Sequence, residues 1–159
     1  MGVAVGGRLK SALVLCVGVL LGAAPAPDVS EQGLVQSDHI LGTAVGNAVL
    51  QGGGNAVDAA IATALAVGVV QPAGSGLGGG GFAVVVMPSG EATVIDFRET
   101  APAAAHRDMY VDAEQEDASR IGGLAVGVPG EGIGLAELHA RWGKIPLTDL
   151  ASPAAQLAA

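Results

Sequence analysis

The hydrophobic pattern changes character several times along the chain. From 38 to 51 the apolar positions Ile40, Leu41, Ala44, Val45, Ala48 and Val49 recur at helical spacing, and Gly52-Gly53-Gly54 stops that helix. Asn55 is a good N-cap for a second helix, Ala56–Val70, with Asp58 at its third position, where a negative charge favours the helix start. This helix is apolar nearly all round, so it reads as a buried core helix. Its 15 residues span about 22 Å, short for a bilayer. The pattern breaks at Pro72. The stretch 71–82, QPAGSGLGGGGF, holds six glycines in twelve residues, so something must pack very close to its backbone. The β-branched run that follows predicts a buried strand over 82–87. A turn at Pro88-Ser89-Gly90 and a second strand over 92–97 complete a hairpin.

Beyond the hairpin, 109–117 is acidic and reads as an exposed loop, and Leu124-Ala125-Val126 is a short apolar run. A third helix carries Leu135, Leu138 and Trp142 on one side, with Gly143 just past its end. Thr148 is placed to cap a further helical turn, and Ser152 and Pro153 suit the cap and first position of another. Residues 154–159 continue a helical pattern without a closing glycine, which reads as a truncation.

Half of the 159 residues are hydrophobic but only 3% are aromatic, so the core is built from small side chains that let elements pack closely. The net charge of −8, with no basic patch away from the N-terminus, argues against nucleic-acid binding. At the N-terminus, Arg8 and Lys10 precede an apolar run from Leu13 to Leu21 and then small residues and prolines, the three-part pattern of a secretory signal peptide. The expected division is a signal peptide over 1–26 and one domain over 27–159, with a periplasmic or secreted product and no stable membrane span after processing. An uncleaved anchor is the alternative. Cys16, the single cysteine, falls in the apolar run, so the processed chain would have no disulfide and no thiol nucleophile.

Gly74-Ser75-Gly76-Leu77-Gly78-Gly79 has the spacing of a dinucleotide fingerprint, but here a helix precedes the glycines and a strand follows, the reverse of what pyrophosphate binding needs. His39, His106 and His139 are too far apart to suggest a metal site and read as surface or hydrogen-bonded histidines. Ser75 lacks the context of a nucleophile elbow, and Asp58 reads as a helix-start residue. Arg98 comes straight off an apolar strand in an acidic protein. Two readings stand for it: an ion pair with Asp96 or Glu99, or a planar fork that grips a substrate carboxylate.

Four stretches occur in order: Gly53-Gly54-Asn55-Ala56-Val57-Asp58-Ala59-Ala60, Ser75-Gly76-Leu77-Gly78-Gly79-Gly80-Gly81-Phe82, Asp96-Phe97-Arg98-Glu99-Thr100-Ala101-Pro102 and Leu124-Ala125-Val126-Gly127-Val128-Pro129-Gly130. Together they resemble the N-terminal part of the large subunit of a gamma-glutamyltranspeptidase, over nearly all the chain after the signal segment. The resemblance implies an α+β fold, the incomplete N-terminal portion of a four-layer αββα sandwich of the N-terminal-nucleophile hydrolase type. It implies a precursor that cleaves itself, and a new N-terminal threonine on the small subunit that attacks the gamma-glutamyl amide of a donor such as glutathione. It assigns the donor's α-carboxylate to Arg98, and implies no metal and no organic cofactor. The missing C-terminal portion is the expected partner. No catalytic residue is expected here, since Thr43, Thr63, Thr93, Thr100 and Thr148 all lie outside any context resembling the nucleophile motif. The runner-up is a non-catalytic binding or scaffold remnant of the same fold. Glu131-Gly132-Ile133-Gly134 departs from the family's usual Thr-Val-Ala-Gly and is expected to loosen the helix start, because glycine costs about 1 kcal/mol per helical position against alanine.

Overall fold

The computed structural model describes residues 33–159. The expected signal segment lies outside the described residues. Four helices and one hairpin follow in the order α1 (Ile40–Gln51), α2 (Ala56–Val70), β1 (Phe82–Val86), β2 (Ala92–Asp96), a single 3-10 turn at Gly123–Ala125, α3 (Glu131–Trp142) and α4 (Leu147–Ala158).

The central helix is α2. Asn55 caps it by accepting from the Val57 and Asp58 N–H groups, and the Asp58 carboxylate accepts from the Asn55 N–H, which completes a capping box. Its small side chains Ala59, Ala62 and Ala66 are buried with Ile61, so neighbours approach closely. On α1, Gly42 and Gly46 lie against Val67 and Thr63, where a Cβ would not fit. The start of α1 is capped by His39, whose Nδ1 accepts from the Leu41 N–H at 3.2 Å. Ile61, Ala62, Ile95, Leu135, Leu138 and Leu150 form the core, so α2, β2, α3 and α4 share one apolar centre.

The two strands pair antiparallel, with Ala83 opposite Ile95 and Val85 opposite Thr93. These positions turn toward the helices. The expected buried strand is only half buried: Phe82, Val84, Val86 and Val94 are 59–66% exposed. The reason is the period of two, which sends alternate side chains to opposite faces. Among the described residues nothing covers the outer face.

The C-terminal region also differs from expectation. One continuous helix, α4, replaces the two separate turns, with Pro146 at its N-cap position and Pro153 inside it. Proline removes the hydrogen bond that would reach the carbonyl four residues earlier. That carbonyl belongs to Asp149, an exposed residue, so water can take the place of the missing N–H. Thr148 caps nothing; its hydroxyl lies 3.4 Å from the Asp149 carboxylate. The acidic loop is mostly exposed, as its composition suggested.

Candidate functional site around Arg98

The glycine loop is held from three sides. Behind it, Gly68 of α2 comes so close that a Cβ there would stand 2.9 Å from the Gly76 Cα. Below it, the hairpin ladder continues past the strands, because the Phe97 N–H donates to the Gly81 carbonyl at 2.9 Å. On the third side, the Gly130 and Glu131 N–H groups both donate to the Gly79 carbonyl, at 2.9 and 3.0 Å. Gly80 lies directly on the Phe97 carbonyl, and a Cβ there would also stand 2.9 Å from the Glu99 nitrogen. The density of glycine is therefore a demand for space. What packs against the loop is the chain itself, at 97–99.

The same segment is fixed from its other side. Thr100 and Val128 exchange two backbone hydrogen bonds, 2.8 and 3.2 Å long. Gly130 sits on the Phe97 carbonyl, and Gly134 on the Phe97 ring. Three of the four sequence motifs thus meet around residues 97–99. The fourth, at the start of α2, serves a different junction. There the Asp58 carboxylate also accepts from the Lys144 N–H at 2.9 Å and the Ile145 N–H at 3.3 Å, which ties α2 to the α3–α4 turn.

Arg98 emerges from this clamp with its side chain 60% exposed. Its Nε donates to the Glu99 carboxylate at 3.2 Å, and its guanidinium lies 5.9 Å from the centre of the Phe82 ring. The Asp96 carboxylate takes the Arg98 backbone N–H instead, at 3.0 Å. Among the described residues, the terminal nitrogens of the guanidinium have no hydrogen-bond partner. Both readings of Arg98 are therefore compatible with one geometry: one edge is held by Glu99 while the two-pronged end stays available. A cleft of ≈ 340 Å³ runs beside it, bordered by Arg98, Thr100, Pro129, Gly130, Ile133 and Glu137.

The carboxylates here differ in character. The backbone N–H of Glu99 itself, and then Arg98, hold the Glu99 carboxyl below the usual carboxylate range. Burial pushes Glu131 the other way, and the nearby charge of Glu99 adds to the rise. The Gly76 N–H opposes it in part. Glu131 is only 6% exposed. Neither its burial nor the reach of Asp58 to Lys144 and Ile145 was foreseen, because both depend on which loops meet. The histidines fit their expected roles: His39 caps α1, His139 bonds the Ile145 carbonyl through Nε2 at 2.8 Å, and His106 is exposed. Among the described residues, no three His, Cys, Asp or Glu side chains group as metal ligands, and no helix is long and apolar enough to cross a membrane.

This is a mixed helix-and-sheet unit that presents one arginine from a glycine-clamped strand end. Residues 42–159 match the family described as Gamma-glutamyltranspeptidase, and the chain belongs to that family. It is 45% identical to glutathione hydrolase 2 of Arabidopsis thaliana over 131 residues, covering 82% of this chain and 22% of that protein. It is 40% identical over 146 residues to the glutathione hydrolase proenzyme of Pseudomonas aeruginosa, covering 88% of this chain and 26% of the proenzyme. The crystal structure of the Helicobacter pylori gamma-glutamyltranspeptidase superposes with a TM-score of 0.77 at 41% identity, over 80% of this chain and 38% of that one. The chain thus spans about a quarter of the length of the curated relatives it matches.

Proposed function

We propose that this chain supplies the donor-binding arm of a gamma-glutamyl transferase or hydrolase acting on glutathione-like amides, with Arg98 gripping the donor's α-carboxylate. The observation that carries the reading is the half-engaged guanidinium. Glu99 fixes it at Nε, while its fork is left for a planar anion, the geometry in which arginine binds carboxylates best. The donor's γ-amide would then be held at a fixed distance from the reacting group.

The reacting group lies elsewhere in this proposal, on a threonine that begins a second subunit. The threonines among the described residues are poorly placed for that role. Thr43 is bonded to the Ser37 N–H, Thr63 is packed under Gly46, Thr93 lies within β2, Thr100 is in the bridge to Val128, and Thr148 is within α4. In the complete reaction the threonine oxygen attacks the γ-amide carbon. Its proton passes through its own amine to the departing nitrogen, and an ester forms. Water or an amino-acid amine then opens the ester and frees the threonine. The uncovered sheet face Phe82, Val84, Val86 and Val94 supports placing this unit inside a larger four-layer sandwich. Residues 1–26 are proposed as a signal peptide that sends the protein out of the cytoplasm.

The test is donor kinetics in the enzyme that unites this segment with its threonine-bearing portion. Arg98→Ala should remove a charge-assisted contact of about 1.5–3 kcal/mol, roughly ten- to a hundredfold, mainly in KM if the contact is equal in ground and transition states. Arg98→Lys should also be impaired, because lysine lacks the fork. Unchanged KM in both variants would leave Arg98 as a partner of Glu99 only and favour the scaffold reading.

A further inference from the structure

Phe82 is the first residue of β1 after the glycine loop, and more than half of it is exposed. A ring so open does little for the core, and the strand ladder shows what else it meets. Phe82 pairs with Asp96, and the next rung, Gly81 with Phe97, is joined by two backbone bonds of 2.9 and 3.4 Å. Side chains alternate between faces along a strand, so Asp96 and Arg98 fall on the same outer face as Phe82. One rung further, Gly80 stands across from Arg98, where a Cβ would lie 3.1 Å from the Arg98 carbonyl carbon. Arg98 therefore has no side chain directly opposite. The side chain on its diagonal is Phe82, within the reach of a long residue.

The guanidinium is found over that ring, 5.9 Å from its centre. A cation this near is attracted by the negative face of the ring, and the planar guanidinium suits a flat surface. Glu99 acts elsewhere on the same group, accepting from Nε at 3.2 Å. Asp96 holds only the main chain, accepting from the Arg98 backbone N–H at 3.0 Å. The contacts of Glu99 and Phe82 do different work. A hydrogen bond at one edge fixes a position but lets the plane tilt, whereas a ring against one face limits the tilt. The terminal nitrogens, which have no partner among the described residues, are then presented in one orientation. That orientation matters, because a carboxylate accepts two parallel N–H bonds only from a guanidinium whose fork faces it.

We propose that Phe82 is a positioning residue for Arg98: its ring sets the plane in which the guanidinium meets the donor's α-carboxylate. The role rests on the carboxylate-binding reading of Arg98, and the two can fail separately. The ring contact is a property of this chain alone, while its effect on the donor is read in the complete enzyme. A residue that served only the sheet would act whether or not Arg98 is present.

Two measurements test the role. The first is NMR of the isotope-labelled full chain, following the Arg98 Nε–H. The ring shifts that resonance, so Phe82→Leu should displace it and Phe82→Tyr should leave it in place. Because Phe82 is exposed, leucine leaves no core cavity and the variant should fold. The second is donor kinetics in the enzyme that unites this segment with its threonine-bearing portion. Phe82→Leu should raise the donor KM about two- to thirtyfold with kcat unchanged, the span of cation–π contacts from exposed to desolvated sites. Phe82→Tyr should keep the wild-type KM, and Phe82→Leu should add nothing in an Arg98→Ala background. The proposal is overturned if Phe82→Leu leaves the Arg98 Nε–H unmoved, or if Arg98→Ala raises KM and Phe82→Leu does not. It is also overturned if Phe82→Leu raises KM equally with and without Arg98. An unchanged KM in Arg98→Ala would instead remove the carboxylate reading and the positioning role with it, and the displaced resonance would still identify the ring contact.

Discussion

Asp58→Ala is expected to destabilise the fold by several kcal/mol, more than any other single change to a polar side chain described here. Asp58 is fully buried, and its two oxygens serve three backbone donors: Asn55 through Oδ2, and Lys144 and Ile145 through Oδ1. Alanine would leave three N–H groups facing an apolar gap. An orphaned buried donor costs about 1–3 kcal/mol where water cannot reach it. Several such losses would remove much of the roughly 5–15 kcal/mol that holds a domain together. Asp58→Asn should fall in between. One amide oxygen can serve Lys144 and Ile145, but the amide nitrogen would then face the Asn55 N–H.

The pH dependence follows from the same bonds. Burial alone would raise the Asp58 carboxyl, but the N–H groups of Asn55, Lys144 and Ile145, with the charge of His139, outweigh it and hold the group below 3.8. A depressed folded-state pKa stabilises above the unfolded value and is lost as pH falls through the folded value. The Asp58 contribution should therefore be complete above about pH 4 and disappear in stronger acid. Glu131 has the opposite sign. Its raised carboxyl penalises the fold when ionised, a penalty that is relieved as pH falls toward 4.5. Urea midpoints measured against pH should thus improve on mild acidification and fall below 3.8. Asp58→Ala should have a smaller acid limb, with the depressed Glu99 carboxyl left to contribute to what remains. An acid limb of unchanged size in that variant would mean that other carboxylates cause it.

Gly130→Ala is the second large effect. The φ of Gly130 is −112°, which any residue can adopt, so its conformation does not call for glycine. Space does. A Cβ would drive into the Phe97 carbonyl and stand 3.0 Å from the Arg98 oxygen. Both obstacles are backbone, so no side chain can swing away. The collision should push α3 from residues 97–99, break the two bonds to the Gly79 carbonyl and displace Arg98. Overpacking of this kind costs about 1–3 kcal/mol, occasionally more. Gly132, two positions on, is the control. A Cβ there meets nothing within 4 Å, so Gly132→Ala should stabilise α3 by up to about 1 kcal/mol through helix propensity. Thermal unfolding should separate the pair in sign. A matching loss of Tm in both would show that α3 dislikes alanine for some reason other than contact with the strand.

The contrast between these glycines also shows how far the sequence could be read. Gly132 and Gly134 look alike as loosening residues at a helix start. Only Gly132 is one, because the Phe97 ring occupies the space above Gly134. The bounds of α2 were legible because Asn55 and Asp58 carry a local chemistry that works within one turn. The hairpin was legible from its β-branched run and its turn, where Gly90 has a φ of +87°, but the exposure of alternate positions was not. The glycine loop announced that something lay close, but spacing could not say that it was residues 97–99. His39 was hidden as a helix cap because histidine is not among the usual capping residues. Pro153 misled because Ser-Pro suits a helix start, and only tertiary exposure shows that the Asp149 carbonyl can do without its donor. Arg98 was legible as a candidate from its place after the strand. The burial of Glu131 was not, since periodicity describes a helix face and says nothing of a first residue folded under a distant loop.

The central proposal is that this chain binds a gamma-glutamyl donor through Arg98 and leaves the bond-breaking to a nucleophile on another part of the enzyme. A clamp without a nucleophile, a base and donors for the developing oxyanion binds but does not react. The most direct measurement is release of the chromophore from a chromogenic gamma-glutamyl amide by the purified 159-residue chain, with and without an added threonine-headed small subunit. The account predicts no turnover by the chain alone. Turnover by the chain alone, abolished by mutating a residue within it, would contradict the account.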